Sequence, residues 1–442
     1  MATVILSAAS AERPALQALA ERLERALAEA GERDIETFEL AATKLAYCQG
    51  EFDCWVKTPG LCRAHDAEGR IVQAIHDADR LVMLDQTTFG GHSYTLKRAV
   101  DRLICLLSPF FEKRAALTHH KARYERLPSL YKLGWTPRAD PELERTWSAL
   151  ADANALNLGA PRVGAALVDD ERRWLWDEQV RAMLASELEP GATIAARGPL
   201  REAMLAAAAG EPSEGASARS AAIVVGSAKA KGLSASQRMA EAFAGRLEAA
   251  GVEVTVHAAI EFLHDGRAEE AARAVAAADL FLLVAPLYVD SLPALATRAL
   301  ELVAAARAGQ ARDRRFAALL NCGFPEPEHN RTALRIARHF AASAGYGWAG
   351  GLALGGGGAI DPAKPLDEQR GPAQHVKAAL DLAGPALARG QAIPRQAIDA
   401  MAAAPMPDAL YRLAGDMGWR YQLYKNGLRQ AQLFARPLDP KV

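Results

Sequence analysis

Residues Ala278–Val303 read ADLFLLVAPLYVDSLPALATRALELV. An apolar run of strand length, Leu280–Ala285, meets a turn signal at Pro286, and a helical pattern follows from near Pro293. Strand, loop and helix in that order form the half-unit of an open α/β sheet. The same pattern stands two hundred positions earlier, in Ala78–Leu103, ADRLVMLDQTTFGGHSYTLKRAVDRL. Asp79 matches Asp279, Leu81–Leu84 matches Phe281–Val284, and Asp101 matches Glu301. A repeat of this period points to tandem duplication and governs how the rest of the chain is read.

Outward from Ala278, the second half predicts strands at Ala221–Val225, Val252–His257, Phe316–Leu320 and Gly351–Leu354. Helices are expected at Ser234–Ala250 and Asn330–Ala344. Outward from Ala78, the first half predicts strands at Thr3–Ser7, Ile35–Leu40, Ser129–Thr136 and Val163–Val168. Its expected helices are Pro14–Ala30, Ile71–Ile75, Lys97–Leu107, Pro141–Asn157 and Arg172–Glu189. Strands alternating with helices in this way imply two doubly wound α/β domains, each a five-stranded parallel sheet with helices on both faces. The small, polar stretch Ala207–Ser220 reads as a linker. The expected organisation is a first domain over 1–206, a linker over 207–220, a second domain over 221–400 and a helical tail over 401–442. Tyr47–Asp66, YCQGEFDCWVKTPGLCRAHD, has no counterpart in the second half and reads as an insertion in one copy. The tail carries Trp419, Tyr421 and Tyr424, which suit it to cap the second domain or to bind a partner.

Composition bounds the function. With 442 residues the chain is too long for one ordinary core. A formal net charge of -1 argues against a nucleic-acid or anionic-membrane surface. No apolar run approaches the roughly 20 residues that a membrane-spanning helix needs. The opening MATVILSAAS reads as a first strand and not as a signal peptide. Five cysteines in such a chain suggest reduced thiols and a cytoplasmic location.

The loop after the first strand of the second half runs Gly226-Ser-Ala-Lys-Ala-Lys-Gly-Leu-Ser-Ala-Ser236. Glycine, hydroxyls and lysines before a helix suit a phosphate, since the helix N-terminus offers unpaired N–H groups. Ser227, Lys229, Gly232, Ser234 and Ser236 are the candidate ligands. Neither a Walker A loop nor a G-x-G-x-x-G fingerprint is present, so an ordinary serine-capped turn is the competing reading.

Three strings in the second half carry a resemblance: Gly226–Ser236, PLYVDSLP (Pro286–Pro293) and NCGFPEPEHN (Asn321–Asn330). The glycine-rich GGLALGGGGAI adds to them. This half resembles the NAD(P)H-dependent FMN reductase branch of the flavodoxin-like fold. The first half resembles it too, through FDCWVKTPGLC (Phe52–Cys62) and TTFGGHSYTLKRAVDR (Thr87–Arg102). The resemblance implies FMN as cofactor and NAD(P)H as donor, with the flavin at the carboxyl ends of the strands flanking the switch point. Loop 227–236 would take the phosphate. Pro286, Leu287, Tyr288 and Val289 would line the ring together with Asn321, Cys322, Gly323 and Phe324. Backbone N–H groups would face the ring's polar edge, with Tyr288 or Phe324 against its face; Tyr288 simply packing is the alternative.

The first half departs from that pattern. Its first loop, Ser7–Pro14, has no glycine and carries Glu12, so a degenerate phosphate loop is expected. Thr87, Thr88, Phe89 and Gly90 keep the form of a ring loop. The family's dimers imply either an intramolecular pairing of the two domains or a homo-oligomer. Cys48, Cys54 and Cys62 fall short of the four cysteines of related iron–sulfur flavoproteins, with Glu51 where the second would stand. A zinc site with His65 is the other metal option, and a thiol loop anchored by Trp55 and Pro59 is the reading adopted, with no metal. The function expected is hydride transfer from NAD(P)H to FMN and onward to a flavin, a quinone or another small acceptor, without a catalytic acid or base. A flavin-free scaffold and a one-electron FMN carrier for a protein partner are the alternatives.

Overall fold

The computed structural model describes every residue except 195, 214, 215, 231, 265, 405, 441 and 442. Residues 214 and 215 of the expected linker, Lys231 of the expected phosphate loop, and 405, 441 and 442 of the tail thus lie outside the described residues. The chain divides into two compact units, Met1–Ala195 with Arg412–Val442, and Ala196–Tyr411.

The first unit contains β1 (Ala2–Ser7), β2 (Asp34–Glu39), β3 (Arg80–Gln86), β4 (Leu107–Arg114), β5 (Leu117–Ala122), β6 (Ser129–Thr136) and β7 (Val163–Asp169). Its main sheet has the order β2-β1-β3-β6-β7, every pair parallel. The second unit contains β8 (Ser220–Val225), β9 (Glu253–Ala258), β10 (Leu280–Pro286), β11 (Arg314–Asn321) and β12 (Tyr346–Leu354). Its order β9-β8-β10-β11-β12 is again wholly parallel. Both sheets therefore follow the flavodoxin-like order, in which the chain reverses direction across the sheet beside the first strand. The central strands are buried runs such as Leu280–Ala285, as strands covered on both faces must be.

The insertion is visible as chain length. Between β2 and helix Glu68–Asp77 lie residues 40–67, which is 28, against the 9 residues 259–267 between β9 and helix Ala268–Ala277. Trp55 anchors the inserted loop, donating from Nε1 to the Leu107 carbonyl at 3.0 Å and stacking on Phe52.

Local readings differ from the structure in three places. The helix expected over Lys97–Leu107 is Tyr94–Val100, followed by a 3₁₀ turn at Leu103–Leu106 and then by the antiparallel hairpin β4–β5. That hairpin turns on Ala115 and Ala116, at φ of 45° and 66°, where glycine or asparagine would ordinarily announce the turn. The helix expected over Arg172–Glu189 is a 3₁₀ segment, Asp170–Leu175, and a helix, Trp176–Leu184. Asp169 caps the first of these by accepting the Arg172 N–H, and Arg172 itself is non-helical. The second unit also begins before the expected linker, taking in helix Arg197–Ala208, while the chain from Arg412 onward belongs to the first unit.

Candidate functional site

In the second unit, the loop that follows β8 begins where no side chain fits. A Cβ built on Gly226 would stand 2.7 Å from the Ala285 Cβ and 2.9 Å from the Ala296 Cβ. Gly226 donates to the Val284 carbonyl at 2.8 Å, which holds the loop start against β10. Ser227 is buried, and its Oγ accepts the Lys229 N–H at 3.3 Å. Gly232 adopts φ +83°, a left-handed conformation that glycine reaches without strain, and donates to Gln237 Oε1 at 2.8 Å. Ser234 is the N-cap of helix Ala235–Ala249, accepting from Gln237, and the first turn of that helix carries no acidic residue. A helix start with hydroxyls, glycine and no carboxylate is suited to an anion.

Arg238, which sequence reasoning missed, lies beside this loop. It donates to the Pro362 carbonyl through Nε and pairs with Glu241 through Nη1. Its Nη2 lies 3.7 Å from the point where a Gly232 Cβ would be. Its place one helical turn after Ser234 was the available signal.

The Pro286–Pro293 and Asn321–Asn330 loops meet the Gly226–Ser236 loop through Asn321. Its side-chain amide donates to Ser236 Oγ at 2.9 Å and to the Ala285 carbonyl at 3.0 Å, so one buried side chain ties together the ends of β10, β11 and helix Ala235–Ala249. Pro286 ends β10, and Leu287 donates to the Asn321 carbonyl at 2.7 Å. Tyr288 and Ser291 then exchange backbone hydrogen bonds of 3.0 and 3.2 Å around Val289 and Asp290, at φ of 42° and 62°. Left-handed geometry at a β-branched residue is costly, and such cost concentrates at functional loops. Cys322 is buried: its N–H is given to Leu354 and its thiol faces the Phe324 and Glu326 carbonyls. Burial pushes its pKa up to about 12, so the thiol stays protonated and unreactive beside the site. Gly323 is exposed, with open space around it, and Phe324 is half-buried with its ring 4.6 Å from that of His329. Glu328, wholly buried, pairs with Arg197 at 3.0 Å and Arg201 at 3.4 Å, which fixes the far end of this loop.

In the first unit the loop after β3 turns as the loop after β10 does, while the loop after β1 differs from the one after β8. Thr87 donates to the Trp135 carbonyl, and Thr88 and Gly91 exchange hydrogen bonds around Phe89 and Gly90 at φ of 54° and 81°. Helix Pro14–Glu29, however, has no side-chain cap, and Glu12 is exposed before it. The cores beneath differ as well. Where the second unit has Ala285 and Leu292, the first has Asp85 and His92 two hundred positions earlier, and Ala318, opposite Leu283 in the sheet, corresponds to Lys132 opposite Met83. Asp85 binds the Ser93 N–H and hydroxyl at 2.7 and 2.6 Å. Lys132 lies 3.4 Å from His92 Nε2 and over the Trp147 ring. Burial first, then Lys132 and Lys97, holds the His92 pKa well below its usual value. A lysine inside the apolar run SLYKLGWT was the sequence signal for this cluster.

All five cysteines are free. Cys62 accepts from Arg102 at 3.2 Å and Cys105 donates to Glu68 at 3.2 Å, while burial raises the Cys48 pKa to about 12. Among the described residues, no group of three or more His, Cys, Asp or Glu is arranged to hold a metal ion.

Residues 220–344 match the family model of NADPH-dependent FMN reductase. The match takes in a little over a quarter of the chain. The reductase segment runs from β8 to just past helix Arg331–Ser343 and so contains the Gly226–Ser236 loop, the Pro286–Pro293 loop and Asn321–Asn330. The match supports an NAD(P)H-dependent oxidoreductase with FMN as cofactor. No curated protein matches the chain. Among solved structures, the chain is similar to an NAD(P)H:quinone oxidoreductase from Methanothermobacter marburgensis at 17% identity and TM-score 0.29, covering 38% of this chain and 98% of that one. It is similar to Smu.1420 from Streptococcus mutans UA159 at 13% identity and TM-score 0.32, covering 41% and 98%. An FMN-dependent NADH-azoreductase from Bacillus anthracis str. Ames Ancestor, in complex with FMN, stands at 11% identity and TM-score 0.27, covering 38% and 99%.

Proposed function

We propose that the second unit of this chain binds FMN at the mouth formed by Gly226–Ser236, Pro286–Asp290 and Asn321–Phe324, and passes reducing equivalents from NAD(P)H to a small acceptor such as a free flavin or a quinone. The observation that carries the reading is the Asn321 bridge, which brings a carboxylate-free helix N-terminus and the two loops after β10 and β11 to one end of the sheet. Ser227, Ser234 and Gly232 supply donors and room for the phosphate, with the Arg238 Nη2 beside them. The Tyr288–Ser291 turn and the Gly323 edge would hold the ring. When bound, FMN supplies the hydride chemistry, which is why no side chain need act as acid or base. The protein's part is to hold the ring and keep its polar edge against N–H donors. The protonated Cys322 thiol, turned to backbone carbonyls, takes no part.

For the first unit we propose a partner role without a flavin phosphate, supported by its uncapped helix and by Glu12. The two units are read as products of a duplication, paired within one chain or in a homo-oligomer. Among the described residues no helix is long and apolar enough to cross a membrane. The free cysteines fit a reducing compartment, and on that ground the location proposed is the cytoplasm. The test is the visible spectrum of the purified protein incubated with FMN, followed by anaerobic NADH or NADPH. Flavin absorbance that copurifies or is retained, and that bleaches on adding the nucleotide, is the expected result. Protein that stays colourless with excess FMN ends the proposal.

A further inference from the structure

Within the second unit, the four successive carbonyls from Asn321 to Phe324 each accept a hydrogen bond. Asn321 accepts from the Leu287 N–H at 2.7 Å, Cys322 from the Gly357 N–H at 2.8 Å, and Phe324 from the Gly356 N–H at 2.6 Å. The fourth carbonyl, that of Gly323, accepts at 2.8 Å from the hydroxyl of Tyr411, 88 positions away in sequence. Three of these anchors are backbone groups that the fold supplies. The fourth is a single side chain.

Gly323 is where the loop most needs an anchor. It has no side chain to hold it, and a Cβ built on it meets nothing within 4 Å. A glycine peptide in open space has little to fix its orientation. In a planar trans peptide the N–H points opposite to the C=O, so holding the Gly323 carbonyl fixes the direction of the Phe324 N–H. In the same way, the Gly357 N–H on the Cys322 carbonyl directs the Gly323 N–H, which has no partner among the described residues. Tyr411 is itself held. It lies in the first turn of helix Asp408–Lys425, where Asp408 pairs with Arg197 at 3.7 Å, and Arg197 in turn pairs with Glu328 of the same loop. Burial raises the Tyr411 pKa, with Cys322 and Glu326 adding to it, so the hydroxyl stays a donor at any ordinary pH.

We infer that Tyr411 is a positioning residue of the flavin-ring site: it holds the Gly323–Phe324 peptide so that the neighbouring N–H groups face the ring's polar edge. The inference rests on the flavin reading of the second unit and adds to it a residue outside the family-matched segment 220–344. Its consequence is electronic as well as steric. N–H donors at the polar edge favour the reduced ring, which carries more negative charge, so losing their alignment should make reduction harder.

The test is Y411F, which removes one oxygen and keeps the ring. Affinities for FMN and for riboflavin should each fall about 3- to 10-fold, the effect of one hydrogen bond. The midpoint potential of the bound flavin should become more negative. Equal loss for both ligands is required, because riboflavin shares the ring and lacks the phosphate. Wild-type affinity and potential in Y411F would overturn the inference, whether or not its melting temperature changed. Loss confined to FMN would place the effect at the phosphate end and overturn it as well. Failure of the wild-type chain to bind either flavin would sink the parent reading first, and is told apart from the other results because it precedes any variant.

Discussion

Replacing Ser227 with aspartate tests the phosphate cradle. Ser227 is buried at the loop start and its Oγ accepts the Lys229 N–H at 3.3 Å, so the carboxylate of S227D would occupy the loop's own donors. An anion held by the same amides would lie about 4–5 Å away by ordinary hydrogen-bond geometry. At an effective dielectric near 20, two unit charges about 4 Å apart repel by about 4 kcal/mol. Halving that for solvent at the open side of the loop leaves about 2 kcal/mol, or roughly a thirtyfold rise in the Kd for FMN. Riboflavin has no phosphate and should bind S227D within about twofold of wild type on the same reasoning. The assay is quenching of flavin fluorescence, titrated for both ligands at two ionic strengths, with S227A as the uncharged control. The FMN penalty should shrink with added salt. Unchanged FMN affinity in S227D, or equal loss of FMN and riboflavin, would refute the placement of the phosphate.

Three further outcomes follow from the packing. In G226V a side chain must enter where Ala285 and Ala296 already stand within 3 Å of its Cβ, and overpacking of about 1–3 kcal/mol should lower the melting temperature and abolish FMN retention together. The Cys322 thiol, with its pKa raised to about 12 by burial, should resist alkylation in the folded protein at pH 8 and react on unfolding; because the unfolded thiol ionises first, stability should fall above about pH 9, less so in C322A, in urea melts followed across that range. His92 is buried with its pKa well below the ordinary value, so the unfolded state takes up the proton first and stability should drop as pH falls below about 6.5, a slope that H92Q should flatten in the same melts.

Much of the candidate site was legible because its chemistry is local. The Gly226–Ser236 loop, PLYVDSLP and NCGFPEPEHN each announce a strand end, a turn and a helix start within a dozen residues. Asn321 was legible as a member of the site but not as its tie-bar, since its partners Ser236 and Ala285 are 85 and 36 positions away. Arg238 and Tyr411 were hidden for the same reason. Nothing near Tyr411 in sequence indicates that its hydroxyl meets Gly323. The β4–β5 hairpin escaped because its turn is made by two alanines held at positive φ by the pairing of the strands and not by their own preference.

What the chain determined alone is the repeated alternation of buried strands and amphipathic helices, and with it two parallel sheets. Hydrophobic period and turn residues are properties of neighbours along the chain, so they can be read without coordinates. What the tertiary structure decided is which distant groups satisfy one another. A carbonyl at Gly323 must find a donor once folding removes water, and only the assembled fold determines that the donor is Tyr411.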